Sequence, residues 1–330
     1  MGALIAAARK EGTLNVIALP PTYANYAAIE KAFSRRYGIA IRALAPGIGS
    51  EQEISQITSA AGSASAADVL DVDLQVAQAD ASLFAPYQVA TWAAIPASQK
   101  APDGAWVQDY GGFMSVGYDA ARFGTIRSLN QLLGPKFRNA VALDGNPTQA
   151  SAALYGVLMA SLALGGSADD IGPGVTFFHK LAAAGNFVSV PATTALTIKS
   201  GMTPVVFNWD YLNTPAVVGR PASDWKVFIP ARAGIGYFYA QAINKDAPHP
   251  AAARLWEEFL YSQGPQGGQN LWLKGGVRPV EQAGMRADRT VDARAAAGLP
   301  PVPPGAAFLT AGQVARAAAY LFARWDKAVR

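Results

Sequence analysis

The sequence predicts an α/β protein with two lobes. The chain has 330 residues, of which 51% are hydrophobic and 15% are charged, so it can bury a large core and does not have the composition of a disordered protein. Domains commonly contain about 100–200 residues, so this length favours two. Short apolar runs alternate with segments of helical spacing in both the first third and the middle of the chain.

The strands are predicted where short apolar runs end in Pro, Gly, Asp or Asn. We place them at 14–19, 39–44, 68–73, 113–118, 140–143, 204–207, 225–229 and 237–243. In the first 75 residues each strand is followed by a loop and a helix, which predicts a parallel sheet.

The helices are predicted from apolar residues at helical spacing. We place them at 1–10, 26–37, 51–61, 152–164, 250–261, 268–274 and 310–329. A further helix, which Asp169 or Asp170 could cap, carries Phe177, Phe178 and Leu181. The apolar stretch 152–164 is shorter than the roughly 20 residues of a membrane span, so we expect a buried helix.

Two helix starts carry capping patterns. Ser50 is predicted to cap its helix, with Glu53 completing a capping box. Asn146, with Pro147 at the first helical position, is either an ordinary cap or part of an anion site at a helix N-terminus.

Several function classes lack the residues that they need. The chain contains no cysteine and two histidines far apart in sequence, His179 and His249, so we expect neither a metal site nor a cofactor. The net charge of +4 is scattered, which argues against nucleic-acid binding. No nucleophile elbow, zinc-protease motif, phosphate-binding loop or dinucleotide fingerprint follows a strand.

A ligand site is expected at the strand ends, because ligands of open α/β sheets bind beyond the carboxyl ends of the strands. The loops there combine aromatic, amide, hydroxyl and acidic side chains that suit a small polar ligand. The candidate ligand-binding residues are Tyr23, Tyr26, Ser50, Asp73, Asn146, Thr148, Gln149, Trp209, Asp210, Tyr211, Arg232, Tyr237 and Tyr239.

Each of these side chains also has an ordinary structural interpretation. The aromatic residues could belong to the core. The strand-end carboxylates Asp73, Asp144 and Asp210 could form an acid/base pair of a hydrolase, although turn and helix capping is the favoured interpretation.

The segment 236–260, GYFYAQAINKDAPHPAAARLWEEFL, resembles a signature of bacterial extracellular solute-binding proteins of ABC importers, in the branch that binds iron(III), polyamines and phosphonates. Further stretches follow in the same order as in that family. They are 45–53, 68–73, 110–119, 145–149 and 208–211.

The resemblance implies the type II periplasmic-binding-protein fold, with two Rossmann-like lobes joined by a hinge and a ligand cleft between the lobes. Lobe one would comprise 1–113 and 239–330, with the C-terminal helices, and lobe two 114–238. The ligand would close the lobes, and the protein would then deliver it to a membrane permease.

The resemblance leaves the solute open. Polyamine binders of the family carry a Trp and an Asp where Tyr237 and Tyr239 stand here, and iron binders use an adjacent Tyr pair that this chain lacks. We therefore expect a small polar organic solute bearing a carboxylate, a phosphonate or an amine. Arg232 would suit an acid and Asp73 and Asp210 an amine, so a zwitterion would satisfy both.

Other functions stay open as alternatives. They are a polyamine or iron(III) binder of the same family, a carboxylate-based hydrolase, and a binding module that reports to a receptor. We expect a monomer without enzymatic activity, partnered by an ABC permease and located in the periplasm or outside the cell. Residues 1–10 carry their charges after the apolar run, unlike an export signal, so either the protein is cytoplasmic or a signal has been removed. Proteins of the family that it resembles carry an export signal, so the resemblance implies removal.

Overall fold

The computed structural model describes all residues except Thr22, in the loop after the first strand, and Arg330. The described residues form eleven strands: β1 (Thr13–Ile17), β2 (Ala40–Leu44), β3 (Val69–Val72), β4 (Val107–Asp119), β5 (Val141–Leu143), β6 (Phe187–Val188), β7 (Val205–Trp209), β8 (Trp225–Phe228), β9 (Ile235–Ile243), β10 (Arg278–Pro279) and β11 (Ala307–Phe308). Each of the eight predicted strands is found. The three that were missed contain only two residues each, too few for a recognisable apolar pattern.

The same residues form fourteen α-helices: α1 (Gly2–Glu11), α2 (Tyr26–Tyr37), α3 (Ser50–Ser59), α4 (Leu74–Ala79), α5 (Ala120–Phe123), α6 (Ser151–Ala163), α7 (Gly172–Ala183), α8 (Ala195–Lys199), α9 (Pro215–Val218), α10 (Pro250–Leu260), α11 (Gly268–Lys274), α12 (Gln282–Ala287), α13 (Ala293–Ala296) and α14 (Ala311–Ala328). Short 3₁₀ turns lie at Ala81–Leu83, Trp92–Ala94, Ala97–Gln99, Leu129–Leu133 and Pro135–Phe137. Among the described residues, no helix is long and apolar enough to cross a membrane.

The chain divides into two compact units. The first comprises Met1–Gly111 and Phe238–Ala297, and the second Gly112–Tyr237 and Gly298–Arg330. The chain therefore passes from one unit to the other within β4, within β9 and after Ala297. The first two changes lie within two residues of the predicted lobe boundaries.

The third change differs from the prediction, which assigned 298–330 to lobe one. Helix α14 instead packs on α7 of the second unit, with Trp325 5.6 Å from Phe178 between ring centroids. Its buried residues Ala317, Leu321 and Trp325 recur at every fourth position, which is the spacing of one helical face. An apolar stripe in the sequence predicts that a helix is buried but not which core receives it.

The first unit contains a mixed sheet rather than the predicted parallel one. Strand β1 pairs in parallel with β2 and β3, whereas β3 pairs antiparallel with β9, so that Asp71 lies opposite Gln241. Leu70 and Val72 pack in the core on one face of β3, and the alternation of a strand turns Asp71 to the other face.

The second unit has its own mixed sheet, in which β5 pairs in parallel with β6 and β7 while β4 pairs antiparallel with β7 and β8. Helix α6 covers this sheet and is buried from Ala153 to Ser161. The prediction of a buried helix from its apolar run is therefore confirmed.

Candidate functional site

A cavity of about 390 Å³ opens in the first unit at the carboxyl ends of β1, β2 and β3. The loops that follow these strands form its walls, as expected for an open α/β sheet. Its lining residues are Ala18, Pro20, Tyr23, Pro46, Gly47, Ile48, Gly49, Ser50, Glu53, Asp71, Asp73, Tyr110 and Tyr239. Of the predicted site residues, Tyr23, Ser50, Asp73 and Tyr239 are thereby brought to one place.

Asp71 is the central acid of this cavity. The hydroxyl groups of Tyr26 and Tyr110 both donate to its Oδ2, over 2.8 and 3.0 Å. Its other oxygen, Oδ1, is buried and has no hydrogen-bond partner within the described part of the chain. Burial raises the pKa of Asp71 to about 7, although the two hydroxyls act in the opposite direction.

Glu53 is a second buried acid on the cavity wall, with an exposed fraction of 1%. Its Oε2 accepts the backbone N–H of Asp71 at 3.3 Å. Burial first, and then the negative charge of Asp71, raises the pKa of Glu53 to about 9.

The predicted capping box at α3 is wrong. Gly49 precedes the helix as its N-cap, and Gln52 closes the turn by accepting the Gly49 N–H at 3.1 Å. Ser50 and Glu53 instead both bind β3, because the Ser50 hydroxyl accepts the Asp73 N–H at 2.9 Å while Glu53 accepts that of Asp71. Two side chains from the first turn of α3 therefore hydrogen-bond to the backbone of Asp71 in β3 and of Asp73 directly after it.

A third acid, Asp109, lies beneath the cavity wall and is fully buried. Gln241 donates from Nε2 to Asp109 Oδ2 at 3.1 Å and to the Tyr26 hydroxyl at 3.3 Å. Burial first, and then the charge of Asp71, raises the pKa of Asp109 well above its ordinary value. Gln241 and the tyrosine hydroxyls therefore link the acids into one hydrogen-bonded network.

Tyrosine rings form the rest of the polar wall. Tyr110 stacks on Tyr239, with ring centroids 5.6 Å apart and an interplanar angle of 27°. Tyr23 and Tyr26 meet the ring of Tyr110 edge-on at 6.3 and 5.8 Å. Tyr26 is fully buried below the cavity, so its contribution to the site is its bond to Asp71, whereas Tyr23 and Tyr239 are partly exposed.

The charge of the cavity is one-sided. Three of the lining residues are acidic, and none of the described residues that line it is a lysine, arginine or histidine. Within the described ranges, no group of three or more His, Cys, Asp or Glu side chains has the arrangement of a metal site. Buried carboxyl groups beside electron-rich ring faces instead suit an organic cation.

The predicted residues of the second unit lie in separate surroundings. Asn146 does not cap α6: its Oδ1 accepts the N–H and the hydroxyl of Thr148, each at 3.0 Å, and the helix begins only at Ser151. The predicted cap is therefore wrong, because this local turn uses the Asn146 oxygen. Gln149, in the same loop, is exposed.

Trp209 and Tyr237 do come together, with ring centroids 5.8 Å apart, and both rings contact Tyr155. Asp210 is fully buried, and its Oδ1 accepts the Phe113 N–H at 3.0 Å. Tyr211 beside it is also buried.

The remaining predicted polar residues have no shared site. Arg232 is exposed in the turn before β9, with a left-handed φ of 63°. Asp144 accepts the Thr193 N–H at 2.7 Å and the Asn208 amide at 3.0 Å, so it holds loops of the second unit together.

Both histidines have structural partners. The Nδ1 of His249 lies 2.9 Å from Asp68 Oδ2 at the start of α10, and that of His179 lies 2.7 Å from the Ala328 carbonyl oxygen. Neither residue lines the cavity of the first unit.

Sequence reasoning missed Asp71, Asp109 and Tyr110 as site residues and assigned Glu53 a different role. A signal was present at Asp71, since a carboxylate in the middle of an apolar buried strand requires partners. Asp109 and Tyr110 carried no such signal, because only the fold brings Tyr110 within hydrogen-bonding distance of Asp71 and Asp109 within that of Gln241.

The family model of bacterial extracellular solute-binding proteins matches residues 62–312, about three quarters of the sequence. This protein belongs to that family. The family places the protein outside the cytoplasmic membrane. None of the curated proteins matches it significantly in sequence.

Several solved structures share its fold. An extracellular solute-binding protein of Bordetella parapertussis superposes with a TM-score of 0.77 at 13% identity, covering 97% of this chain and 99% of the other. A periplasmic thiamin-binding protein gives a TM-score of 0.67 at 19% identity over 96% of both chains. The ferric iron-binding protein A of Mannheimia haemolytica gives 0.64 at 16% identity, over 96% and 98%. These similarities show the type II periplasmic-binding-protein fold.

Proposed function

We propose that this family member is the substrate-binding protein of an ABC importer whose solute carries a positively charged nitrogen, held in the cavity of the first unit. Family membership supports the transport role and an ABC permease as partner. The observation that supports the cationic group is the buried Asp71 Oδ1, which has no partner in the described part of the chain and lies on a wall without basic residues.

The cavity offers a cation two kinds of contact. The negative charge of Asp71 would stabilise an ammonium or ring-nitrogen cation. A cation with N–H groups would also donate a hydrogen bond to Asp71 Oδ1. The partly exposed rings of Tyr23 and Tyr239 would contact it by their faces, which contributes roughly 0.5–2 kcal/mol per favourable ring. The volume of about 390 Å³ suits a small organic group.

Two other ligand classes receive less support from this cavity. A ferric ion needs several converging oxygen or nitrogen ligands, and the described residues hold no such group of acids and histidines. A solute with only negative charge would meet Glu53, Asp71 and Asp73 with no basic side chain opposite them in the lining.

We further propose that the protein binds its solute without converting it. The strand-end carboxylates Asp144 and Asp210 are both used as acceptors for neighbouring groups of the second unit, as in ordinary capping. The buried acids of the first unit are held by tyrosine, glutamine and backbone donors.

Thermal unfolding with a panel of solutes tests the proposal, because a ligand stabilises the folded state in proportion to the logarithm of its concentration over Kd. The cationic arm comprises choline, putrescine and thiamine, and the opposing arm citrate, inorganic phosphate and ferric ion. The melting temperature should rise with a cation in the wild type and in Glu257→Gln, whose buried acid lies outside the cavity, but not in Asp71→Asn. A rise with the opposing arm alone would contradict the cationic solute.

A further inference from the structure

Two acids of the cavity wall, Glu53 and Asp71, are buried, and none of the described residues that line the cavity is a lysine, arginine or histidine. The polar and titratable groups around Asp71 come from four other elements and from its own strand. They are Tyr26 of α2, Glu53 of α3, Asp109 and Tyr110 of β4, Gln241 of β9, and Asp73 directly after β3. Glu53 faces Asp71 and Asp73. The buried cation on β10, Arg278, donates to Gln282, and the residue is not part of the cavity lining.

A bound proton can neutralise either Glu53 or Asp71. Two negative charges on adjoining buried side chains repel each other, and burial disfavours each charge separately. Burial first, and then the charge of Asp71, raises the pKa of Glu53 to about 9; burial first, with the charge of Asp73 adding to it, raises that of Asp71 to about 7. The hydrogen bond between the Glu53 carboxyl and the Asp71 backbone fixes the two groups on the same wall.

We propose that a cation entering this cavity displaces a proton from the Glu53–Asp71 pair, so that solute binding is an exchange of cation for proton. A neutral carboxylic acid of the pair loses its proton to water, and the resulting carboxylate stabilises the positive charge of the solute. This inference rests on the proposed cationic ligand and adds that the protein releases a proton when the cation binds.

The exchange has a direction with pH. Because the cation competes with a proton, the affinity rises as pH rises, approaching tenfold per pH unit where one whole proton is released. Acidification weakens binding through the same equilibrium.

Calorimetric titration of thiamine, choline and putrescine, each at pH 7 in phosphate and in Tris, measures the released protons. These buffers differ in their enthalpy of protonation, so a released proton makes the apparent binding enthalpy depend on the buffer. We expect release of roughly half to one proton per bound cation in the wild type. Glu257→Gln removes a buried acid whose pKa is also raised, to about 8, but which lies outside the cavity, so it should release the same number.

The double variant Glu53→Gln/Asp71→Asn should release none. Carboxyl ¹³C resonances of the unliganded protein give a measurement that needs no ligand: one of the two acids should titrate above pH 6. Titration of both near pH 4 would overturn the exchange whatever the ligand. Binding with a buffer-independent enthalpy would overturn the exchange but leave the proposed function. If one of the two acids titrates above pH 6 but none of the three cations binds, the proposed function is contradicted, and the exchange with it.

Discussion

The carboxyl oxygen Oε2 of Glu53 accepts the backbone N–H of Asp71 at 3.3 Å, and both side chains line one cavity. One residue comes from the first turn of α3 and the other from the middle of β3. Burial disfavours a charge on either acid, and a charge on Asp71 further disfavours one on Glu53.

The replacement Glu53→Gln should stabilise the protein at high pH. The folded pKa of about 9 exceeds the ordinary 4.5, so between these values the folded state binds more protons than the unfolded state. The stability of the wild type therefore falls as pH rises through this window. Glutamine has no proton to lose, and its amide oxygen can still accept the Asp71 N–H. We expect the stabilisation of Glu53→Gln over the wild type, measured as the free energy of unfolding in urea, to be larger at pH 8 than at pH 5 by on the order of 3 kcal/mol.

The exposed Glu51 on the same helix is the matched control, and Glu51→Gln should leave the pH dependence unchanged. An equal effect of Glu53→Gln at both pH values would show that Glu53 is ionised in the folded protein.

The replacement Tyr110→Phe should weaken cation binding while keeping the ring stack on Tyr239. It removes the hydroxyl that donates to Asp71 over 3.0 Å, so the pKa of Asp71 rises and its carboxylate is less available at pH 7. A lost hydrogen bond to a charged group corresponds to an affinity loss of about tenfold or more, which calorimetric titration measures.

Tyr87→Phe is the control for this prediction. Its hydroxyl also donates to a carboxylate, that of Glu258 at 2.7 Å, in the same unit but outside the cavity. If both phenylalanine variants weaken binding equally, the effect is not specific to Asp71.

The replacement Gly112→Ala should destabilise the second unit. A methyl group at this position would overlap the Asp210 carboxylate and the ring of Tyr211, both buried. Since Asp210 also accepts the Phe113 N–H, the side chain cannot move without losing that bond. We expect a loss of about 1–3 kcal/mol in denaturant unfolding. Gly264→Ala, which meets open space, should change the stability little.

The replacement Trp325→Ala tests the assignment of the C-terminal helix to the second unit. Trp325 is 3% exposed and packs against Phe178 and Phe187, so its removal should cost about 3–5 kcal/mol. Phe322, on the same helix, is 84% exposed, and Phe322→Ala should leave the stability almost unchanged. Equal effects of the two substitutions would contradict the packing of α14 on α7.

The sequence predicts the strands and the long helices well, because apolar periodicity is a local property of the chain. Three of the predicted ligand residues, Tyr23, Ser50 and Asp73, line the cavity because each follows a strand of one sheet. That they bind a ligand stays a prediction. The attachment of α14 to the second unit could not be predicted, since an apolar stripe does not identify its partner.

The contacts of these polar side chains were harder to predict than their positions at the strand ends. The Ser50–Glu53 spacing matches a capping box, and only the proximity of β3 shows that both side chains bind that strand instead. Likewise Asn146 has a helix-capping position in the sequence but bonds within its own loop. Tyr110 and Asp71 are 39 residues apart, so their hydrogen bond is a property of the fold.

The central claim is that Asp71 binds the positive charge of a small organic solute. Its most direct test is the affinity of the wild type and of Asp71→Asn for thiamine, choline and putrescine, measured by calorimetric titration at pH 7.5. We predict that at least one of the three binds the wild type and that Asp71→Asn weakens it by about 10- to 100-fold with the fold intact by circular dichroism. Binding of only anionic solutes, or equal affinity of Asp71→Asn for the cation, would contradict the account.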